Sequence, residues 1–171
     1  ARICIAGGSY GGYAALMGVI REPGLYRCAI GTIGVYDLPM MFVRGDIAEG
    51  RYGRRYLREW VGPSRALDEV SPYHLAAQVK VPVFLAAGGE DERAPQRHTQ
   101  KMERALREAG TEVEALYFPT ESHGIYAPAN RRAYYAGMLR FLARHLGGRE
   151  PRVEAVTAPA ATTGADAAVR Q

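Results

Sequence analysis

The feature that most constrains the fold is an alternation of short apolar runs with helical patterns. The runs are residues 2–7, 28–35, 81–87 and 112–118. The first three are almost continuously apolar, which predicts strands covered on both faces. Between and after the runs, apolar spacing predicts helices over 10–21, 64–78, 96–109 and 129–145. This alternation predicts an α/β fold, a parallel sheet with helices on both faces. At 171 residues, 47% of them hydrophobic, the chain is long enough for one sizeable core, and one domain is expected over 1–148.

Two stretches depart from the alternation. Residues 39–62 carry Arg51, Arg54, Arg55 and Arg58 at helical spacing, which predicts an inserted segment with a solvated face in preference to a docking face. Residues 149–171 are rich in Ala, Thr and Pro, with valine the only large apolar residue, and a disordered tail is expected there. The net charge is +4, but basic residues interleave with acids, as in Arg58-Glu59 and Glu103-Arg104. That pattern describes a solvated surface and argues against a nucleic-acid partner. The longest uncharged run, 3–20, is rich in Gly and carries Ser and Tyr, a poor membrane span. Cys4 and Cys28 lie in apolar runs and read as small buried hydrophobes, with no disulfide framework and no metal spacing.

The chemistry concentrates at Gly7-Gly8-Ser9-Tyr10-Gly11, which fits G-x-S-x-G between a predicted strand and a predicted helix. That context distinguishes a nucleophile elbow from a chance match. A tight turn of this kind calls for residues without Cβ two positions either side of the serine, and the helix N-terminus favours developing negative charge. A serine nucleophile needs a base, and the base an orienting acid, in the chain order Ser, Asp or Glu, His. His123, in "FPTESHGIY" after the last predicted strand, is placed to reach back to Ser9. His74, His98 and His145 read as structural or surface residues. For the acid, Asp91 follows the third strand and Asp37 the second, so both lie at the carboxyl edge of the sheet. Glu90 is a weaker candidate, while Asp46, Asp68 and Asp166 read as surface residues.

Three segments carry a specific resemblance. "GGSYGGYAALMGVIREPGLYRCAI" resembles the nucleophile region of the prolyl oligopeptidase family of serine peptidases. "GGEDERAPQRHTQKM" is similar to that family's acid loop, with Ala94 in place of the usual Val, and "FPTESHGI" to its histidine loop. Residues 2–147 share the resemblance, which is greatest to bacterial members of the acylaminoacyl-peptidase-like branch. It implies the C-terminal part of an α/β-hydrolase domain and settles the acid on Asp91. Ser9 is then the nucleophile, His123 the base, and the Tyr10 N–H one oxyanion donor.

The resemblance also places a substrate side-chain pocket among residues after the second strand, here Val35, Leu38, Met41 and Phe42. The same residues also read as ordinary core. It implies peptide substrates, no cofactor, no metal and no membrane partner. A β-propeller and a second oxyanion donor are expected upstream of residue 1, so these 171 residues alone are expected to be weakly active or inactive. Homo-oligomers are left open. A carboxylesterase would use the same triad on esters, and a binding protein on a disabled hydrolase fold is the alternative outside enzymes.

Overall fold

The computed structural model describes residues 2–63 and 66–150. Four strands, β1 (Cys4–Gly8), β2 (Cys28–Thr32), β3 (Val83–Gly88) and β4 (Val113–Phe118), form one parallel sheet in the order β1-β2-β3-β4. The main helices are α1 (Tyr10–Arg21), short α2 (Asp46–Glu49) and α3 (Arg51–Tyr56), α4 (Arg97–Glu108) and α5 (Pro128–Leu146).

The period-two alternation of side chains divides the core between the two faces of the sheet. Ala29, Val83 and Leu85 pack with Leu16 and Val19 of α1 and with Met102 and Leu106 of α4. Ile30, Phe84 and Ala86 point the other way, into a cluster with Phe118 and with Phe141 of α5. β3, central and covered on both sides, is buried at every position. Because all strands run parallel, the turns that follow β1, β3 and β4 gather at one edge of the sheet, and these turns carry the polar chemistry.

Three expectations need correction. The second run does not stay extended to residue 35. Ile33 donates its N–H to the Ala86 carbonyl at 2.7 Å and then turns the chain with φ 47°, which folds Tyr36 back into the core. The helix expected over 64–78 is not continuous. Residues 64 and 65 lie outside the described residues, and beyond them only 3-10 turns form, at Asp68–Val70 and Ala76–Gln78. Pro72 is the cause: it disfavours helical backbone at Ser71, which is extended at φ −101°, ψ 120°. Finally, Cys4 and Cys28 are bonded to each other. They are direct partners in the β1–β2 register, with Cα atoms 4.6 Å apart. Cys28 is fully buried, as expected, but not as a free thiol.

The segment 39–62 forms a 3-10 turn (Leu38–Phe42), α2, α3 and a π-helical continuation at Leu57–Val61. Leu57 is buried, whereas Tyr52, Tyr56 and Trp60 are exposed. Arg54 donates to the carbonyls of Ala48 and Glu49, and Arg55 pairs with Glu59. The tail expected over 149–171 lies, from residue 151 onward, outside the described residues. Among the described residues no helix is long and apolar enough to cross a membrane.

His98, on the inner face of α4, is 1% exposed and accepts the Asp37 N–H at Nδ1, 3.3 Å away. Burial lowers its pKa from the ordinary 6.5 to about 4; the Asp37 carboxylate opposes this shift and Lys101 adds to it. The folded chain therefore keeps His98 neutral while the unfolded chain protonates it below pH 6.5. The resulting stability is fully present above pH 6.5 and is lost as pH falls toward 4, on the order of 3 kcal/mol in all. Urea unfolding at pH 7 and pH 4.5 should show a larger loss for the native protein than for His98→Asn. Equal losses would show that His98 does not carry this slope.

Candidate active site

Ser9 sits between the end of β1 and the start of α1 at φ 56°, ψ −122°, a backbone conformation that a residue with a side chain rarely adopts. Its N–H donates to the Thr32 carbonyl at 2.9 Å, which ties the turn to β2. The requirement for glycine is one-sided. A Cβ on Gly7 would lie 2.1 Å from the Gly11 carbonyl oxygen, whereas a Cβ on Gly11 would meet nothing within 4 Å. Gly7 is thus sterically obligatory, and the expected need for glycine at 11 has no steric basis in this turn.

Asp91 lies in the loop after β3. Its carboxylate is buried and its Oδ1 accepts the N–H groups of Arg93 and Ala94 at 2.9 and 2.8 Å. His123 comes from the loop after β4. Its Nδ1 lies 2.9 Å from Asp91 Oδ2 and 3.1 Å from Oδ1, and its Nε2 lies 2.9 Å from Ser9 Oγ. An ionised carboxylate only accepts, so Nδ1 carries the proton, and Nε2 is left to accept the Ser9 hydroxyl. The two loops meet because β3 ends in glycine: a Cβ on Gly88 would lie 2.3 Å from the Glu121 carbonyl oxygen.

The rival acid is held elsewhere. Asp37 is buried, ion-paired with Lys101, and caps the following turn through the Met40 N–H. Glu90 is exposed. His74 pairs with Asp68 at 3.2 Å and His145 lies 3.6 Å from Glu112, so neither joins Ser9. Asp46 is more than a surface residue: it takes Arg93 Nε at 2.7 and 2.9 Å, and these bonds hold its carboxyl below the ordinary carboxylate range. The inserted segment is thereby latched to the acid loop, and a cleft of about 500 Å³ opens there, lined by Ile47, Tyr52 and Tyr56 among others.

The apolar residues after β2 divide. Val35 and Leu38 are buried with Leu67 and Ala94, while Met41 and Phe42 pack at the margin of that cluster beside Tyr13. The Tyr10 ring is exposed, and its N–H, in the first turn of α1, has no carbonyl four residues back within the helix. Glu112, Glu114 and His145 bring ligand-type atoms within 4.8 Å of one another, but at the opposite end of the sheet from Ser9 and with Glu114 paired to Arg144.

The sequence profile of the Prolyl oligopeptidase family matches residues 1–149. The chain belongs to that family. Dipeptidyl aminopeptidase BIII of Pseudoxanthomonas mexicana is 30% identical over 153 residues, covering 86% of this chain and 22% of that protein. Among solved structures, a puromycin-hydrolyzing peptidase of Mycobacterium tuberculosis superposes with TM-score 0.76 at 26% identity, over 84% of this chain and 22% of that one. The uncomplexed Pyrococcus horikoshii acylaminoacyl peptidase gives 0.75 at 25% identity, over 87% of this chain and 25% of that one. The chain thus spans between a fifth and a quarter of the length of these relatives.

One residue of the site goes unassigned by the sequence reasoning. Glu121, two residues before His123, is 4% exposed and accepts three hydrogen bonds. Its spacing to Asn130 was visible, but not that both turn inward.

Proposed function

We propose that this chain carries the acyl-transfer site of a serine peptidase acting on short peptides. The observation that carries the reading is that His123 joins Ser9 Oγ to a buried carboxylate through its two ring nitrogens. Ser9 Oγ attacks the scissile carbonyl carbon while His123 Nε2 takes its proton. Asp91, bonded at Nδ1, stabilises the imidazolium. The Tyr10 N–H and the N-terminus of α1 favour the oxyanion. His123 then protonates the leaving amine, and water, activated by the same nitrogen, releases the acyl group from Ser9.

In this reading residues 1–148 are the C-terminal part of a catalytic domain, and a β-propeller upstream restricts entry to short peptides. Met41 and Phe42, backed by Val35 and Leu38, receive an apolar side chain next to the scissile bond. The relatives called dipeptidyl aminopeptidase and acylaminoacyl peptidase support peptides over esters.

The intact protein should be treated with a fluorophosphonate and the adduct located by peptide mass spectrometry; Ser9 is the expected site. In parallel, a panel of peptide and simple ester substrates should show cleavage after bulky apolar residues. An adduct on another residue would overturn the catalytic assignment. Turnover of esters alone would favour the carboxylesterase, and cleavage only after proline would refute the apolar pocket.

A further inference from the structure

We propose that Glu121 is a positioning residue that fixes His123 by clamping residues 121–127 into a closed loop; this rests on the triad reading above. His123 lies between β4 and α5, in a stretch without regular secondary structure, so no ladder of backbone hydrogen bonds holds it. The Glu121 side chain provides a substitute. Its Oε2 accepts the Tyr126 N–H at 2.8 Å, and its Oε1 accepts the Ala127 N–H at 2.9 Å and an Asn130 Nδ2 proton at 2.7 Å. These contacts bridge the histidine from two residues before it to α5 after it.

The backbone of Glu121 anchors the other side. Its N–H donates to the Phe118 carbonyl at 3.1 Å, and its carbonyl accepts the Glu90 N–H at 2.9 Å, one residue before Asp91. One residue thus ties the histidine loop to the end of β4, to the acid loop and to the start of α5. Burial by itself would raise the Glu121 pKa, but the bonds from Tyr126, Asn130 and Ala127 outweigh it and hold the carboxyl below its ordinary value. The group is therefore ionised at neutral pH, and as an anion it offers acceptors alone, which is what three converging donors require. Glutamine keeps the size but must turn its NH₂ toward a backbone N–H, so at least one bond is lost.

Glu121 does not touch Ser9, and its effect runs through the placement of the imidazole. A displacement of about 1 Å at a reacting group costs up to about a hundredfold in rate. The test compares Glu121→Gln and Asn130→Ala with the native protein, scoring kcat per active site titrated with fluorophosphonate, well below each variant's Tm. Glu121→Gln should lower kcat per titrated site by roughly 10- to 100-fold with KM nearly unchanged, and Asn130→Ala by a smaller factor in the same direction. A residue that merely supports the fold would lower Tm and the titrated fraction but leave kcat per site intact. That result in Glu121→Gln would overturn the clamp. If Glu121→Gln does not fold, Asn130→Ala decides alone: unchanged kcat per site overturns the proposal and a fall supports it. A native adduct away from Ser9 would remove the triad reading and the clamp together, whereas a Ser9 adduct with normal turnover in the variants removes only the clamp.

Discussion

Replacing Ser9 with alanine is expected to lower turnover of the intact protein by about a millionfold and to abolish fluorophosphonate labelling. In the proposed mechanism the size of the effect follows from the loss of the attacking oxygen. Binding groups and the remaining oxyanion donors are left in place, so a small residual rate over water is expected. The fold should survive, because the Ser9 side chain has His123 as its hydrogen-bond partner and alanine suffers no more than serine at φ 56°. Thermal unfolding of the variant should match the native protein within a few degrees. Continued labelling of Ser9→Ala at a different serine would show that the nucleophile lies elsewhere.

Asp91→Asn is expected to cost about 10⁴-fold in kcat. The structure explains why the loss should be so large for a change of one atom. Oδ1 of Asp91 accepts the N–H groups of Arg93 and Ala94, so an asparagine must keep its oxygen there. Its NH₂ then occupies the place of Oδ2, facing His123 Nδ1 at about the present 2.9 Å. Nδ1 becomes the acceptor, Nε2 carries the proton, and the Ser9 hydroxyl meets a donor where it needs a base. Asp37→Asn makes the comparison. It breaks the pairing of a buried carboxylate with Lys101, so its cost is to stability, roughly 1–3 kcal/mol. Its turnover should stay within a few fold of native. Measuring both variants on one activated ester at one pH decides between the acids, and the opposite ranking would make Asp37 the acid.

Much of this site could be read from local chemistry. Gly7 and Ser9 are separated by one residue, and the need for a small residue at 7 arises within the turn itself, from the Gly11 carbonyl. The strand–helix alternation was equally local, since short continuous apolar runs favour core strands or core helix, although β1, expected to be covered on both faces, lies at the edge of this sheet with no fully buried position. The helix expected over 64–78 fails locally, at Pro72, but two other readings fail because a partner distant in sequence intervenes. Residue 33 turns where the β2–β3 pairing ends, and Tyr36 finds its place only when the core is assembled. Cys4 and Cys28 read as separate hydrophobes because their 24-residue separation does not reveal that the strand register sets them side by side.

Sequence alone determined the α/β class, the elbow at Ser9 and the positions of two candidate acids and one candidate base, because each depends on residue types within a few positions of one another. Resemblance to a family then chose between the acids. Only the tertiary structure brought Ser9, Asp91 and His123 within hydrogen-bonding distance, tied Asp37 to Lys101 and turned Glu121 inward. The physical reason is burial: whether a carboxylate is solvated, ion-paired or closed around backbone N–H groups depends on which loops the parallel sheet brings to its carboxyl edge. That convergence is a property of the packed strands and of no single segment of the chain.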